Sequence, residues 1–257
     1  MTGTTLKIIA LVLMLLDHVA QFIPGIPIWF HWLGRISAPL FMFCMAWGFY
    51  YTRNRKKYLL RMYGSGVGMG IIDIICNNIY PDPVSYVNNN IFVTLFLAGV
   101  IVWLMEVVKT DKKKGTLLII LFAVYQLITT VVCTITSQLS SLYGMGMFVG
   151  AISANLIFNE GSFIFVFLGV LLYFNKEDKK RLIIAYGSFC LVYFALEWTS
   201  TPGITAMFYQ NFQWMMIAAL PLMLLYNGEK GIGLKYLFYI FYPLHIVLLF
   251  FIGNIYF

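Results

Sequence analysis

The first place in this chain where chemistry can be located is an imidazole beside an acid, deep inside an apolar run. The run covers residues 6–24, LKIIALVLMLLDHVAQFIP, with Lys7 near its start and Asp17-His18 well within it. A run of this length suits a helix crossing a bilayer. Ionisable groups are costly there and are kept mainly for function or for a partner. Lys7 and His18 are eleven residues apart. At about 100° per residue eleven steps return to nearly the same face, with a rise of about 16 Å. One helix face therefore offers a cation at its start and an imidazole near mid-membrane. Imidazole titrates near neutrality, so His18 is the candidate general base. Asp17 can support it electrostatically, although a direct neighbour on a helix points about 100° away.

Further ionisable groups lie at similar depth. His18 is about 18 Å in from Leu6, Asp73 about 16 Å in from Met62, and His245 about 15 Å in from Lys235. Arg35 and Glu197 lie one or two turns further out. The sequence predicts that these groups face one shared polar cavity, because unpaired they would be very costly. Asp73 or His245 is expected to orient His18, and Arg35 to stabilise an oxyanion or hold an acceptor. Asp17 paired with Arg35 as structural glue is the bland alternative. Asp73 as a helix-to-helix hydrogen-bonding residue and His245 on a backbone carbonyl are the others. His31, beside Trp29 and Trp32, reads as part of an interfacial aromatic belt. No two of the three histidines offer an evident facing pair, which disfavours haem.

The elements that must carry these residues are apolar helices. The chain is 61% hydrophobic and 11% charged, outside soluble globular usage. The expected class is an all-α, polytopic transmembrane helical bundle, with residues 1–257 forming a single integral membrane domain. Helices are expected over 6–22, 29–51, 62–80, 91–108, 116–136, 161–174, 182–198, 204–226 and 235–256. A re-entrant or surface-lying segment is expected over 144–158, and a Pro-Asp-Pro turn at 81–83. Asp17-His18 and the lack of an A-x-A-like cleavage site favour a retained first helix over a signal peptide. Three basic clusters, at 53–61, 109–114 and 176–181, fall with Lys7, Lys230 and Lys235 on one side, which predicts a cytoplasmic N-terminus and nine to ten crossings. Clusters of this kind are orientation signals, so no nucleic-acid partner follows from the net charge of +7. Cys44, Cys76, Cys133 and Cys190 fall on different helices without metal spacing, and no metal ligand set is expected.

Four stretches resemble the TraX family of bacterial membrane proteins, named for a protein that acetylates the amino terminus of conjugative pilin. They are Lys7 to His18, WLGRISAPLFMF (32–43), TRNRKKYLLRM (52–62) and KYLFYIFYPLH (235–245). The middle of the chain, 109–226, resembles the family mainly in hydropathy. The family is similar to wider groups of transmembrane acyltransferases that use cytoplasmic acyl-CoA. In one of these groups a basic residue, ten others and a histidine on the first helix form an essential pair, a spacing that Lys7 and His18 fit. Ser37-Ala38-Pro39 departs from the bulky residue expected before that proline.

The resemblance implies transfer of an acetyl or short acyl group from acetyl-CoA to an amine or hydroxyl, in a multi-pass protein of the cytoplasmic membrane. Lys7, Arg53, Arg55 and Lys57 would meet the CoA phosphates. The acceptor would be a peptide amine, a glycan or a lipid-linked sugar. The rival class is a secondary transporter or proton-coupled channel using the same buried groups. A non-catalytic membrane adaptor is the third, and it leaves those groups unexplained.

Overall fold

The protein is described by a computed structural model covering residues 1–80 and 82–257, the Lys235 side chain excepted. The expected turn at 81–83 thus falls partly on Pro81, outside the described residues. In chain order the helices are α1 (Gly3–Phe22), α2 (Trp29–Gly34), α3 (Ser37–Tyr51), α4 (Arg55–Ile79), α5 (Ile91–Thr110), α6 (Lys112–Leu139), α7 (Met145–Ser153), α8 (Ser162–Asn175), α9 (Lys179–Ser200), α10 (Ile204–Tyr209), a 3₁₀ helix (Gln213–Ala218), α11 (Ala219–Leu224) and α12 (Lys235–Tyr256). Among the described residues there is no strand. Six helices, α1, α4, α5, α6, α9 and α12, are long and apolar enough to cross a membrane.

Side-chain caps fix where several of these helices begin. Thr2, Asn54, Asp111 and Asp178 each accept a backbone N–H of the first turn of α1, α4, α6 and α9, as N-cap residues do. The turns that follow in α4, α6 and α9 are rich in Lys and Arg, which oppose the helix dipole. Helix stability does not account for them. α6 buries only Gly115, Gln126 and Cys133. It is apolar all round, and Leu127 is 70% exposed, the pattern of a helix facing lipid.

The chain forms two compact units. One comprises Met1–Trp47 and Leu171–Phe257, the other Gly48–Val170. In the first unit α1 and α12 run side by side in the same direction. Lys7 lies over the Phe238 ring at one end, and Phe22 packs on Phe250 at the other. Gly253 makes this approach possible: a Cβ there would sit 2.1 Å from the Phe22 carbonyl oxygen. The start of α1 is covered by the chain before α12. Gly3 N donates to Glu229 O (2.7 Å), Thr4 N to Lys230 O (3.0 Å) and the N-terminal amine to Leu225 O (2.6 Å). The orphan donors of the first helical turn are thereby satisfied within the protein.

In the second unit α4 packs on α5 and α7 through small residues. A Cβ at Gly66 would meet Val93 at 2.8 Å and one at Gly70 would meet Ala151 at 2.9 Å, whereas Gly64 and Gly68 face open space. The i, i+4 pair, not glycine content in general, lets the helices approach.

Two expected helices are broken, and the expected re-entrant or surface-lying segment is only partly helical. The segment 29–51 divides at Arg35-Ile36 into α2 and α3. Pro39 then stands in the first turn of α3, where a missing N–H has no helical partner to lose. The segment 204–226 becomes α10, the 3₁₀ helix and α11, with Gly203 at φ 131° before them. The segment 144–158 is α7 followed by irregular backbone, with Ala154 left-handed at φ 49°. Conversely, α4 begins at Arg55, so the basic cluster, Arg53 excepted, lies within the helix.

Candidate active site

α1 and α12 bring His18 and His245 together. His18 Nδ1 lies 2.7 Å from His245 Nε2, and the rings are nearly parallel, with centroids 4.9 Å apart. The expectation that no two histidines face one another is corrected here. It failed because facing depends on how two helices at opposite ends of the chain pack. The pair is hydrogen-bonded to itself, not held apart around a planar group.

The partners determine the tautomers. His245 Nδ1 lies 2.6 Å from the Phe241 carbonyl oxygen. A carbonyl only accepts, so His245 carries its hydrogen on Nδ1. With both rings neutral, His245 Nε2 is an acceptor and His18 Nδ1 donates to it. The lone pair of His18 then lies on Nε2. Phe22 and Tyr242 meet the His18 ring edgewise, and His18 is only 3% exposed. Pro243 sits inside α12 two residues before His245.

Asp17 turns away from His18, as neighbouring positions on a helix must, and faces α2. Its carboxylate accepts from His31 Nδ1 (2.7 Å) and is ion-paired with Arg35. Gly34 permits this: a Cβ there would lie 2.3 Å from Asp17 Cβ. Arg35 Nη1 donates to Gln213 Oε1 (3.0 Å) and Nε to His31 O (3.3 Å), and Phe212 lies against both His31 and Arg35. Glu197 accepts from Trp214 N at 3.2 Å, and Trp32 Nε1 donates to Phe208 O at 2.8 Å. The broken segment after α9 is thus tied to α2 and α9 by polar side chains.

The sequence-selected residues therefore fall into separate groups. His18 and His245 touch. Asp17 and Arg35 touch each other within a second cluster that includes His31 and Gln213. His31, whose tryptophan neighbours point to an aromatic belt, lies four residues before Arg35, so one helical turn presents both to the same acid. Asp73 belongs to the other unit and is 8% exposed. Of the candidate CoA-binding cations, Lys7 is in the first unit, 5.6 Å from the Phe238 centroid. Arg53 and Lys57 are exposed in the second, and Arg55 is ion-paired with Glu106 over the Phe49 ring. Among the described residues no three His, Cys, Asp or Glu side chains group as metal ligands would.

The family model described as TraX protein matches residues 2–253. A relative from Dichelobacter nodosus, named probable fimbrial assembly protein FimC, serogroup H1, is 26% identical over 255 residues, covering 95% of this chain and 92% of its own length. No solved structure matches the chain.

Proposed function

Since the chain belongs to the TraX family, we propose that it is an integral acyltransferase of the cell membrane, moving an acetyl or short acyl group from cytoplasmic acetyl-CoA to an amine or hydroxyl. The observation that carries this is the polarised chain from the Phe241 carbonyl through His245 to His18. It leaves His18 Nε2 as the atom suited to take the acceptor's proton. The acceptor's nitrogen or oxygen attacks the thioester carbon, the tetrahedral intermediate collapses, and the CoA thiolate leaves with the proton returned by His18. His245 positions His18 and disperses the charge that forms on it. Arg35 is engaged at all three nitrogens. In this reading it builds the Asp17–His31 cluster and does not meet the oxyanion.

Lys7 would meet a CoA phosphate about 16 Å along α1 from His18. Leu11 and Met14 lie between them and are buried, so entry of the pantetheine arm requires that packing to open. Met14, unbranched and adaptable, suits such a movement. The proposed topology has a cytoplasmic N-terminus and nine to ten crossings. Six are the long helices; α2 with α3, α8, and α10 with α11 supply three more. The relative's name, a probable fimbrial assembly protein, favours a peptide amine over a glycan or lipid-linked sugar as acceptor.

The test is mass spectrometry of cell-envelope material from cells with the protein, without it, and with His18→Ala. An acylated product present only with the unaltered protein is expected. The same product with a folded His18→Ala protein would overturn the assignment. The transporter reading is separated by reconstitution: proton flux coupled to a solute without CoA would favour it over acyl transfer.

A further inference from the structure

Asp73 stands on the face of α4 that also carries Gly66, Gly70 and Asn77. Two ties bring residues 87–90 against that face. Asn77 clasps Val87, donating to its carbonyl at 2.7 Å and accepting from its N–H at 2.6 Å. Asn90 Nδ2 donates to Gly66 O at 2.8 Å. Asp73 lies between these ties along the helix. The bond to Gly66 also fixes the Asn90 amide, because only its nitrogen can face a carbonyl. Its oxygen is therefore an acceptor aimed elsewhere. Asn90 Oδ1 and Asp73 Oδ1 are both buried, and neither has a hydrogen-bond donor among the described residues. The two side chains belong to residues 4% and 8% exposed.

Charge sharpens the point. Among the described residues Asp73 makes no ion pair, and the charge acting on it is that of Glu160, of the same sign. The other titratable neighbour is Cys76 on α4 itself; α7 and the first turn of α5 carry none. A bare carboxylate so buried is very costly. The backbone around it is also broken. Residues 84–90 are non-helical up to the start of α5, and α7 ends at left-handed Ala154. The irregular stretch that follows is held from the middle of α6, where Gln126 donates to Ala154 O (3.1 Å) and accepts from Leu156 N (2.8 Å). Thr94 on α5 reaches Asn159 Oδ1 at 2.9 Å and Glu160 O at 2.6 Å. Membrane proteins tolerate interrupted helices at such depth where the backbone is shielded or lines a polar site, and ion sites are built there.

We propose that Asp73 is the centre of a site for one monovalent positive charge, an alkali-metal ion or a proton, with Asn90 Oδ1 as its neutral partner. The carboxylate supplies one full negative charge to that ligand, and Glu160 raises the cost of leaving it bare. The site is independent of the acyl-transfer reading and is tested without activity. The full chain in lipid nanodiscs is unfolded thermally in sodium, potassium or choline chloride at equal ionic strength, and in choline chloride from acidic to neutral pH. Asp73→Asn, Asn90→Ala and Glu160→Gln accompany the unaltered protein.

A metal ion gives a saturable rise of several degrees with one alkali cation over choline. A proton gives a rise as pH falls, without alkali selectivity. Either response is lost in Asp73→Asn, weakened in Asn90→Ala and kept in Glu160→Gln. Insensitivity to both, or an unchanged response in Asp73→Asn, overturns the proposal. Should Asp73→Asn not fold, the Asn90→Ala comparison decides: an unchanged response there overturns it equally.

Discussion

The two units bury polar groups in opposite ways. In Met1–Trp47 with Leu171–Phe257, donors and acceptors alternate along a line: carbonyl, imidazole, imidazole. In Gly48–Val170, amide side chains tie down irregular backbone, and two buried acceptor oxygens have no donor among the described residues. A line of alternating donors and acceptors has a direction and can pass a proton to a reacting atom. A cluster of oxygens has a charge to be balanced. The same apolar composition thus supports two different chemistries, and which one arises depends on whether imidazoles or carboxamides and carboxylates meet.

Alterations that remove one partner from each arrangement sharpen this contrast. The largest expected effect on stability is from Gln126→Leu, which strands the Ala154 carbonyl and the Leu156 N–H in the second unit. At about 1–3 kcal/mol for each buried orphan, the loss is roughly 3 kcal/mol, read as a lower thermal midpoint in nanodiscs. Acyl transfer per folded molecule should change little. Asp17→Ala leaves Arg35 part-buried without its carboxylate and should cost about 3 kcal/mol, the low end for breaking a buried pair because both side chains keep some exposure. The same thermal measurement checks it.

At the imidazole pair and at the candidate CoA-binding cations the effects should be kinetic. His245→Leu removes the acceptor for His18 Nδ1–H and should lower kcat by about 10–100-fold, a typical share of general-base catalysis, with KM for acetyl-CoA unchanged. His245→Gln, which restores an acceptor oxygen, should recover part of the loss. A merely structural His245 would show no such recovery. Lys7→Ala should raise KM for acetyl-CoA about tenfold with kcat retained, the scale of one charge-assisted phosphate contact. Arg55→Ala, already paired with Glu106, should move KM least of the candidate cations.

The helical class and several helix positions were legible because hydropathy and periodicity are local. The region from Lys7 to His18 was readable because its spacing on one helix fixes its face. The partners across helices were not. His245 faces His18 only because α1 and α12 run in parallel, a packing that spacing within one helix does not reveal. The break at Arg35-Ile36 escaped because the sequence there stays largely apolar; after Gly203 the signals available were Gln210, Asn211, Gln213 and Pro221, set inside an otherwise apolar stretch. The ties of Gln126, Asn77 and Asn90 were not legible because an uncharged amide costs less to bury than an ionisable group and stands out less in an apolar run. An uncharged amide in an otherwise apolar run was the signal available, and it marks where backbone is irregular.

The central claim is that His18, set by His245, takes the acceptor's proton in acyl transfer. Its most direct test follows labelled acetyl from acetyl-CoA into cell-envelope material, comparing the purified protein with its folded His18→Ala variant. The account predicts labelled product with the first and a loss of at least about a hundredfold with the second. Equal labelling by both would contradict it.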